Sequence, residues 1–362
     1  MPRAVVMPAP LAPLEIRDFP RPTLEAGAAL LRVTYSEVCG TDVHLHHGRL
    51  PGVPYPIIPG HVSVGVIEEL GGPLRDIEGR AFAVGDRVTF LDVHGTCGRC
   101  YQCLVAKQST RCPHRRVYGI TYSANDGLLG GWSELLWLKP GVHMVRLPDA
   151  LAPETFIGGG CGLVTALHAA DRAEVRLGQH VAVLGVGPVG QSVVALAALS
   201  GAGRVFAVGD PATRRAFAMR MGATDTLGLD LSPEARRDAI LAGTDGHGVD
   251  VVIEASGAPE AVREAFDLVR DGGRIVVCGH YTDNGDIRLH PHHHINRKHV
   301  EVRGCWGSDY SHVHRAVAVA AKHGDRIPWR DLVERRYTLD EAAAALAAVE
   351  RREVTKAVIV PR

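Results

Sequence analysis

Residues 180–200 read HVAVLGVGPVGQSVVALAALS, two apolar runs joined by a cluster of glycines, with no Asp, Glu, Lys or Arg in the whole stretch. The first run has the length and composition of a buried strand, and the second that of a helix. Between them Gly185, Gly187 and Gly190 spell G-x-G-x-x-G. That pattern alone is weak, but a preceding strand and a following helix give each glycine a task. The first makes the tight turn, the second lets the backbone approach a pyrophosphate, and the third lets helix and strand pack closely. The start of the helix then offers unpaired N–H groups and partial positive charge to the phosphates. The segment therefore reads as the first turn of a dinucleotide-binding βαβ unit.

Toward the C-terminus the same rhythm continues. RVFAVGD, PATRRAFAMRMG, GVDVVIEASG, PEAVREAFDLVRDGG and RIVVCG alternate strand with helix, which predicts a doubly wound parallel sheet with helices on both faces. Counting on from Gly190 puts Gly209 in the slot where an acidic residue would bind the ribose hydroxyls, with Asp210 one place later. Asp210 pointing inward would repel a 2′-phosphate, whereas Arg214 and Arg215 would attract one. The balance favours NAD over NADP.

Toward the N-terminus the pattern changes. ALLRVTYSEVCG, SVGVIEEL and DRVTFLDV are rich in β-branched residues and bounded by Gly, Pro and Asp, so residues 1–150 read as strands and turns. Within them GTCGRCYQCLVAKQSTRC, residues 95–112, holds four of the eight cysteines, Cys97, Cys100, Cys103 and Cys112. Tetrahedral zinc takes four thiolates, and C-x2-C turns bring pairs of sulfurs together. Gly95 and Gly98 allow the tight turns of such a knuckle. Four protein ligands leave no open position, so this zinc would be structural. A two-cysteine redox pair would leave the other two thiols unexplained.

The bulk numbers agree with a two-domain soluble enzyme. The chain has 362 residues, 46% apolar and 22% charged, and a formal net charge of zero. That length exceeds one ordinary core, and neutrality gives no general attraction to nucleic acid or acidic membrane. No apolar run approaches the roughly 18–20 residues of a membrane helix. The N-terminus lacks the apolar core of a signal peptide, and a cytoplasmic location is expected.

Three further residues, Cys39 in EVCGTDVH, His61 in PIIPGHVSVGVIE and Cys161 in IGGGCGLVTALHA, complete a pattern. With C-G-T-D, G-H-x-x-x-G, the four-cysteine lobe and the glycine fingerprint in this order and spacing, the chain resembles the zinc-containing medium-chain alcohol and polyol dehydrogenases nearly end to end. The resemblance implies two zinc ions per subunit, the second a catalytic one held by Cys39, His61 and Cys161 with one position open to water or substrate. It implies that Asp42 accepts the other ring N–H of His61, that the Thr41 hydroxyl touches the substrate oxygen, and that His44 relays the proton to solvent. Lys356 falls where relatives carry a basic residue near the cofactor phosphates. The implied architecture is a Rossmann domain over 158–309 and a mainly β, GroES-like catalytic domain over 1–157 and 310–362. The cleft between them would hold zinc and nicotinamide. Relatives form homodimers and homotetramers, and the same is expected here. Val62 departs from the family, which often has glutamate after the histidine. The lobe carries one residue more than usual between its last two cysteines.

The expected activity is hydride transfer between a small-molecule secondary alcohol and NAD. Polar residues at His44, Asp92, His94, Tyr122 and His280 suggest a polyol, cyclitol, sugar or phosphonate-type hydroxyl rather than a long aliphatic alcohol. The histidine-rich stretch at 290–299 reads either as a recognition loop for such groups or as a solvated loop. The alternatives are a zinc-free NADP-dependent reductase of the same fold and a non-catalytic cofactor-binding protein. The intact Cys39, His61 and Cys161 set argues against the first.

Overall fold

His180–Leu184 is a strand, and the helix Pro188–Leu199 follows it across the glycine turn. A computed structural model describes residues 1–361 of the chain. They fall into two units, one comprising Met1–Cys161, Ser308–Gly324 and the stretch from Trp329 onward, the other Gly162–Gly307 with Asp325–Pro328.

In the second unit, six strands form one parallel sheet. Their spatial order is Asp225–Leu227, Arg204–Val208, His180–Leu184, Val249–Glu254, Val269–Val277, Glu301–Gly304. The chain thus starts in the middle, winds outward one way, then returns and winds the other. The point of reversal, between His180–Leu184 and Val249–Glu254, is where doubly wound sheets bind their ligands. The three central strands, Arg204–Val208, His180–Leu184 and Val249–Glu254, are almost wholly buried because helices cover both faces. The helix Pro259–Leu268 shows how: Val262, Ala265 and Phe266 recur at three- and four-residue spacing and are buried with Val252, Leu268 and Ile275 in one core. Truncating Phe266 to alanine would cost about 3–5 kcal/mol.

The first unit is built on a largely antiparallel sheet. Its order is Val333–Tyr337, Lys356–Ile359, Ala29–Val38, Ser63–Leu70, Arg87–Phe90 and Met144–Arg146, and Leu135–Leu138 also pairs with the long strand Ala29–Val38. The C-terminal strand Lys356–Ile359 thereby lies directly beside Ala29–Val38, with Ala357 opposite Val38 and Val358 opposite Glu37. A core of Leu31, Val33, Ile67, Val88, Tyr118 and Leu136 fills one face. Among the described residues no helix is long and apolar enough to cross a membrane.

Candidate metal centre and nucleotide turn

Cys39 follows the strand Ala29–Val38 and caps the helix Gly40–His46. Its Sγ accepts the N–H of Thr41 at 3.3 Å, and Asp42 Oδ2 accepts the N–H of Cys39 at 2.9 Å. C-G-T-D is therefore a reciprocal capping box with sulfur in place of the usual hydroxyl. The positive end of the helix faces that sulfur.

His61 is brought to the same place by strand register, since Ser36 pairs with Ser63 across the two central strands. Gly60 makes the approach possible. At its φ of +89° a Cβ would lie 2.5 Å from both Ser36 Oγ and Trp132 Cδ1, so a side chain there is excluded.

Cys161 arrives from a different direction. The helical stretch Pro153–Ala173 breaks at Gly160, with φ +45° and ψ −137°, and the break turns the next residue toward the other two.

The ligand atoms of Cys39, His61 and Cys161 all lie within 4.8 Å of one another. Cys39 Sγ and His61 Nε2 are 3.9 Å apart. A tetrahedral zinc with its usual bond lengths to sulfur and nitrogen would hold such a pair about 3.6 Å apart. That one pair stands within a few tenths of an ångström of the spacing the ion would require. Two sulfurs and an imidazole leave a tetrahedral ion one free corner.

Electrostatics follow from the burial of this set. A hydrogen bond from Cys161 pulls the Cys39 thiol well below its ordinary value, aided by His61 and Thr41 against the cost of burial. Cys161 is pushed well above its own, by that same bond and by burial. For His61 burial acts to lower the pKa, but the Cys39 thiolate outweighs it and the value rises to about 10. A metal takes these donors as thiolates and a neutral imidazole, so its uptake releases whatever protons they carry.

Two expectations from the sequence are corrected here. Asp42 does not accept the His61 ring N–H. Its carboxylate takes the backbone N–H groups of Cys39 and, at 3.4 Å, Gly60, while the buried His61 Nδ1 has no hydrogen-bond partner. The capping box claims the carboxylate first. Lys356 does not reach out toward cofactor phosphates. It is 1% exposed, and its ammonium is spent on Glu37 Oε1 at 2.8 Å and the carbonyls of Ile157 and Gly159, each at 3.1 Å. Three donors with three partners leave none for a phosphate.

Thr41 and His44 stand on the first helix, both partly buried. His44 Nδ1 is buried without a partner, and burial holds its pKa below the ordinary value. Asp92 is pushed up by burial, with His61 and Arg115 opposing. His94 is committed within its own unit, with Nδ1 2.5 Å from the Tyr122 hydroxyl and Nε2 3.0 Å from the Pro140 carbonyl. His280 belongs to the other unit. The histidine-rich stretch forms a helical turn over Pro291–Asn296, where the His294 ring packs 5.9 Å from that of Phe266. Lys298 Nζ caps the neighbouring helix by donating to Phe266 O and Val269 O.

In the lobe, the ligand atoms of Cys97, Cys100, Cys103 and Cys112 again lie within 4.8 Å of one another. Three of the sulfur–sulfur separations are 3.6, 3.9 and 3.7 Å. Four thiolates around zinc stand about 3.8 Å apart along each tetrahedron edge, so the cage has the right size. All eight cysteines are free of disulfides.

The glycine turn has the shape its pattern demands. A Cβ on Gly190 would lie 1.8 Å from Gly185 O, and one on Gly185, at φ +116°, 2.8 Å from Ser256 N. Gly187, the residue before the helix, meets nothing within 4 Å, leaving room over the helix start. Asp210 is not a free carboxylate. Arg215 donates to its Oδ1, and Leu229 N–H donates to Oδ2 at 3.0 Å.

One residue of the site escaped the sequence reading. Glu37, 1% exposed, accepts the Cys161 N–H on Oε2 at 2.8 Å. Its only advance signal was a carboxylate two places before Cys39, near the end of the strand Ala29–Val38.

Comparison with known proteins places this geometry in company. The alcohol dehydrogenase GroES-like domain matches residues 25–149, and the zinc-binding dehydrogenase family matches residues 188–322. The chain is 34% identical to 5-exo-hydroxycamphor dehydrogenase of Pseudomonas putida over 336 residues, 92% of this chain and 91% of that one. An alcohol dehydrogenase from Thermotoga maritima superposes with a TM-score of 0.95 at 32% identity, covering 100% of this chain and 99% of the other. A zinc-binding-dehydrogenase-type protein from Sinorhizobium meliloti, solved with NADP, gives 0.86 at 30% identity, with 100% and 99% covered.

Proposed function

Because the chain belongs to the zinc-binding medium-chain alcohol dehydrogenases, we propose that it oxidises a secondary alcohol with NAD, or runs the reverse reduction, at a zinc held by Cys39, His61 and Cys161. The observation that carries this reading is the convergence of those three side chains, from three distant segments, to within 4.8 Å. When bound, zinc polarises the substrate hydroxyl and favours its deprotonation, and the nicotinamide takes up the hydride. The chain's own residues do the rest. Cys39 and Cys161 supply negative charge, and His61 a neutral nitrogen. The Thr41 hydroxyl receives the substrate proton, and the half-buried His44 passes it toward water. Asp42 keeps the Cys39 loop in place through its two backbone contacts. The four-cysteine lobe holds a second, structural zinc.

NAD is the proposed cofactor because Asp210 stands just past the strand Arg204–Val208, where a carboxylate opposes a 2′-phosphate. Its engagement by Arg215 softens that opposition, so the preference over NADP is modest. The substrate is a hydroxyl on a ring or polyol, a class that includes the hydroxycamphor named for the P. putida relative. Self-association through the edge strand Glu301–Gly304 belongs to the same reading, since Val302 on it is 47% exposed. Absorbance at 340 nm, followed with cyclic alcohols, polyols and sugar alcohols and with each cofactor, tests the activity. No NADH or NADPH from any member of the panel would overturn it.

A further inference from the structure

Glu37 and Lys356 form an ion pair that the proposed reaction leaves without a task. Both side chains are essentially inaccessible, at 1% and 0%. Burying two charges is expensive, and apolar replacements of similar volume are often no less stable. Fold stability is therefore a weak reason for such a pair, and its contacts suggest another.

Every polar atom of the pair is used, and the uses lie on both sides of the helix break at Gly160. Before the break, Lys356 Nζ donates to the carbonyls of Ile157 and Gly159, at the end of the first helical segment. After the break, Glu37 Oε2 takes the N–H of Cys161. Across the middle, Glu37 Oε1 and Lys356 Nζ hold each other at 2.8 Å. Gly160 fits the clamp only as glycine. A Cβ there would stand 2.1 Å from Glu37 Oε2 and 2.9 Å from Lys356 Nζ. The clamp is also fixed to the other ligands. Glu37 lies on the strand that leads to Cys39, its N–H donates to Val62 O at 3.0 Å beside His61, and Lys356 opens the neighbouring strand.

We propose that Glu37, braced by Lys356, is a positioning residue for the third metal ligand: the pair grips the chain before and after Gly160 and aims Cys161 Sγ at Cys39 and His61 before any ion is bound. This rests on the reading of Cys39, His61 and Cys161 as a metal centre. Glu37 does not itself ligate, because both of its oxygens are committed. The carboxylate that relatives often place after the histidine is Val62 here, and Glu37, on the adjacent strand, serves the ligand rather than the ion.

The test follows the zinc content of the purified full-length protein during exposure to EDTA, alongside thermal unfolding. Cys161→Ala is the reference, expected to hold one zinc per chain where the wild type holds two. In the Glu37→Leu/Lys356→Met double variant the fold is expected to persist, with the lobe zinc retained. The other zinc should be lost about 10–100-fold faster than from wild type, the range typical for removing a partner that orients a ligand. Glu37→Gln, which keeps an acceptor for the Cys161 N–H, should lose it more slowly than Glu37→Ala. A folded double variant that releases zinc at the wild-type rate overturns the proposal. Equal release from wild type, Glu37→Gln and Glu37→Ala overturns it too, and covers the case where the double variant does not fold. Two zinc ions in Cys161→Ala would instead overturn the underlying assignment of the metal centre.

Discussion

The lobe at Cys97–Cys112 and the cluster of Cys39, His61 and Cys161 both gather metal-type donors, and they are built in opposite ways. The lobe draws all its sulfurs from one short stretch. Beyond a four-residue helix at Tyr101–Leu104 and a single turn at Ser109–Arg111, it has little regular structure of its own. Backbone turns, contacts between the sulfurs, and the Arg115 guanidinium, which donates to Thr110 O at 2.9 Å, hold its cage. The cluster draws on three segments far apart in sequence, and each donor is set by the surrounding fold: Cys39 by a capping box, His61 by strand register and the Gly60 turn, Cys161 by the break at Gly160. In the lobe the ion would hold the chain, whereas at the cluster the chain would hold the ion. Losing a donor should cost stability in the first case and chemistry in the second.

The sharpest way to break this contrast is to remove donors from the cluster. Cys39→Ala, His61→Ala or Cys161→Ala should lower kcat/KM by about 10³-fold or more, because several kcal/mol of transition-state stabilisation goes with the metal. The melting temperature should move by only a few degrees. A collapse of the fold would erase the distinction. Next in size, Cys100→Ser or Cys103→Ser in the lobe should cost about 3 kcal/mol and lower the melting temperature by about 10 °C. The specific activity of whatever remains folded should be close to normal, as calorimetry and assay on the same sample would show.

How much of this was legible depends on how local each feature is. The glycine fingerprint, the parallel sheet and the lobe could be read directly, because their causes lie within a few adjacent residues. Cys39, His61 and Cys161 were found as a set through the company they keep, and a capping box, strand register and the break at Gly160 together bring them to one place. Partners fixed by long-range packing were read less well. Asp42 looked free to orient His61, but a capping box four residues long had already claimed it. Lys356 was expected near the cofactor phosphates, from the resemblance alone. Strand pairing with Ala29–Val38 buries it against Glu37, and no local pattern announces a salt bridge across 319 positions, the separation of residues 37 and 356.

Two smaller effects sharpen the comparison further. His44→Ala should slow alcohol oxidation by about 10-fold, with water partly replacing the relay, and should change the pH profile of kcat. A merely structural His44 would leave that profile in place. The smallest effect concerns the start of the helix Tyr310–His323, which lines one pocket with Thr96 and Ser109 of the lobe. A hydrogen bond from His312, with further bonds from Ser311, holds the Asp309 carboxyl well below its ordinary value. A depressed carboxyl contributes stability above the unfolded value near 3.9 and loses it as pH falls toward the folded one. Asp309→Asn, which keeps the capping oxygen but loses the charge at the helix start, should therefore cost up to about 1 kcal/mol at neutral pH. The difference should vanish in strong acid, as urea unfolding at several pH values would reveal.

The most direct measurement counts zinc by elemental analysis in the wild type and in Cys161→Ala, both purified without added metal or chelator. The account predicts two ions per chain falling to one, with the alcohol-dependent signal at 340 nm lost together with the missing ion. Equal zinc in the two proteins, or full activity in a variant holding a single ion, would contradict it.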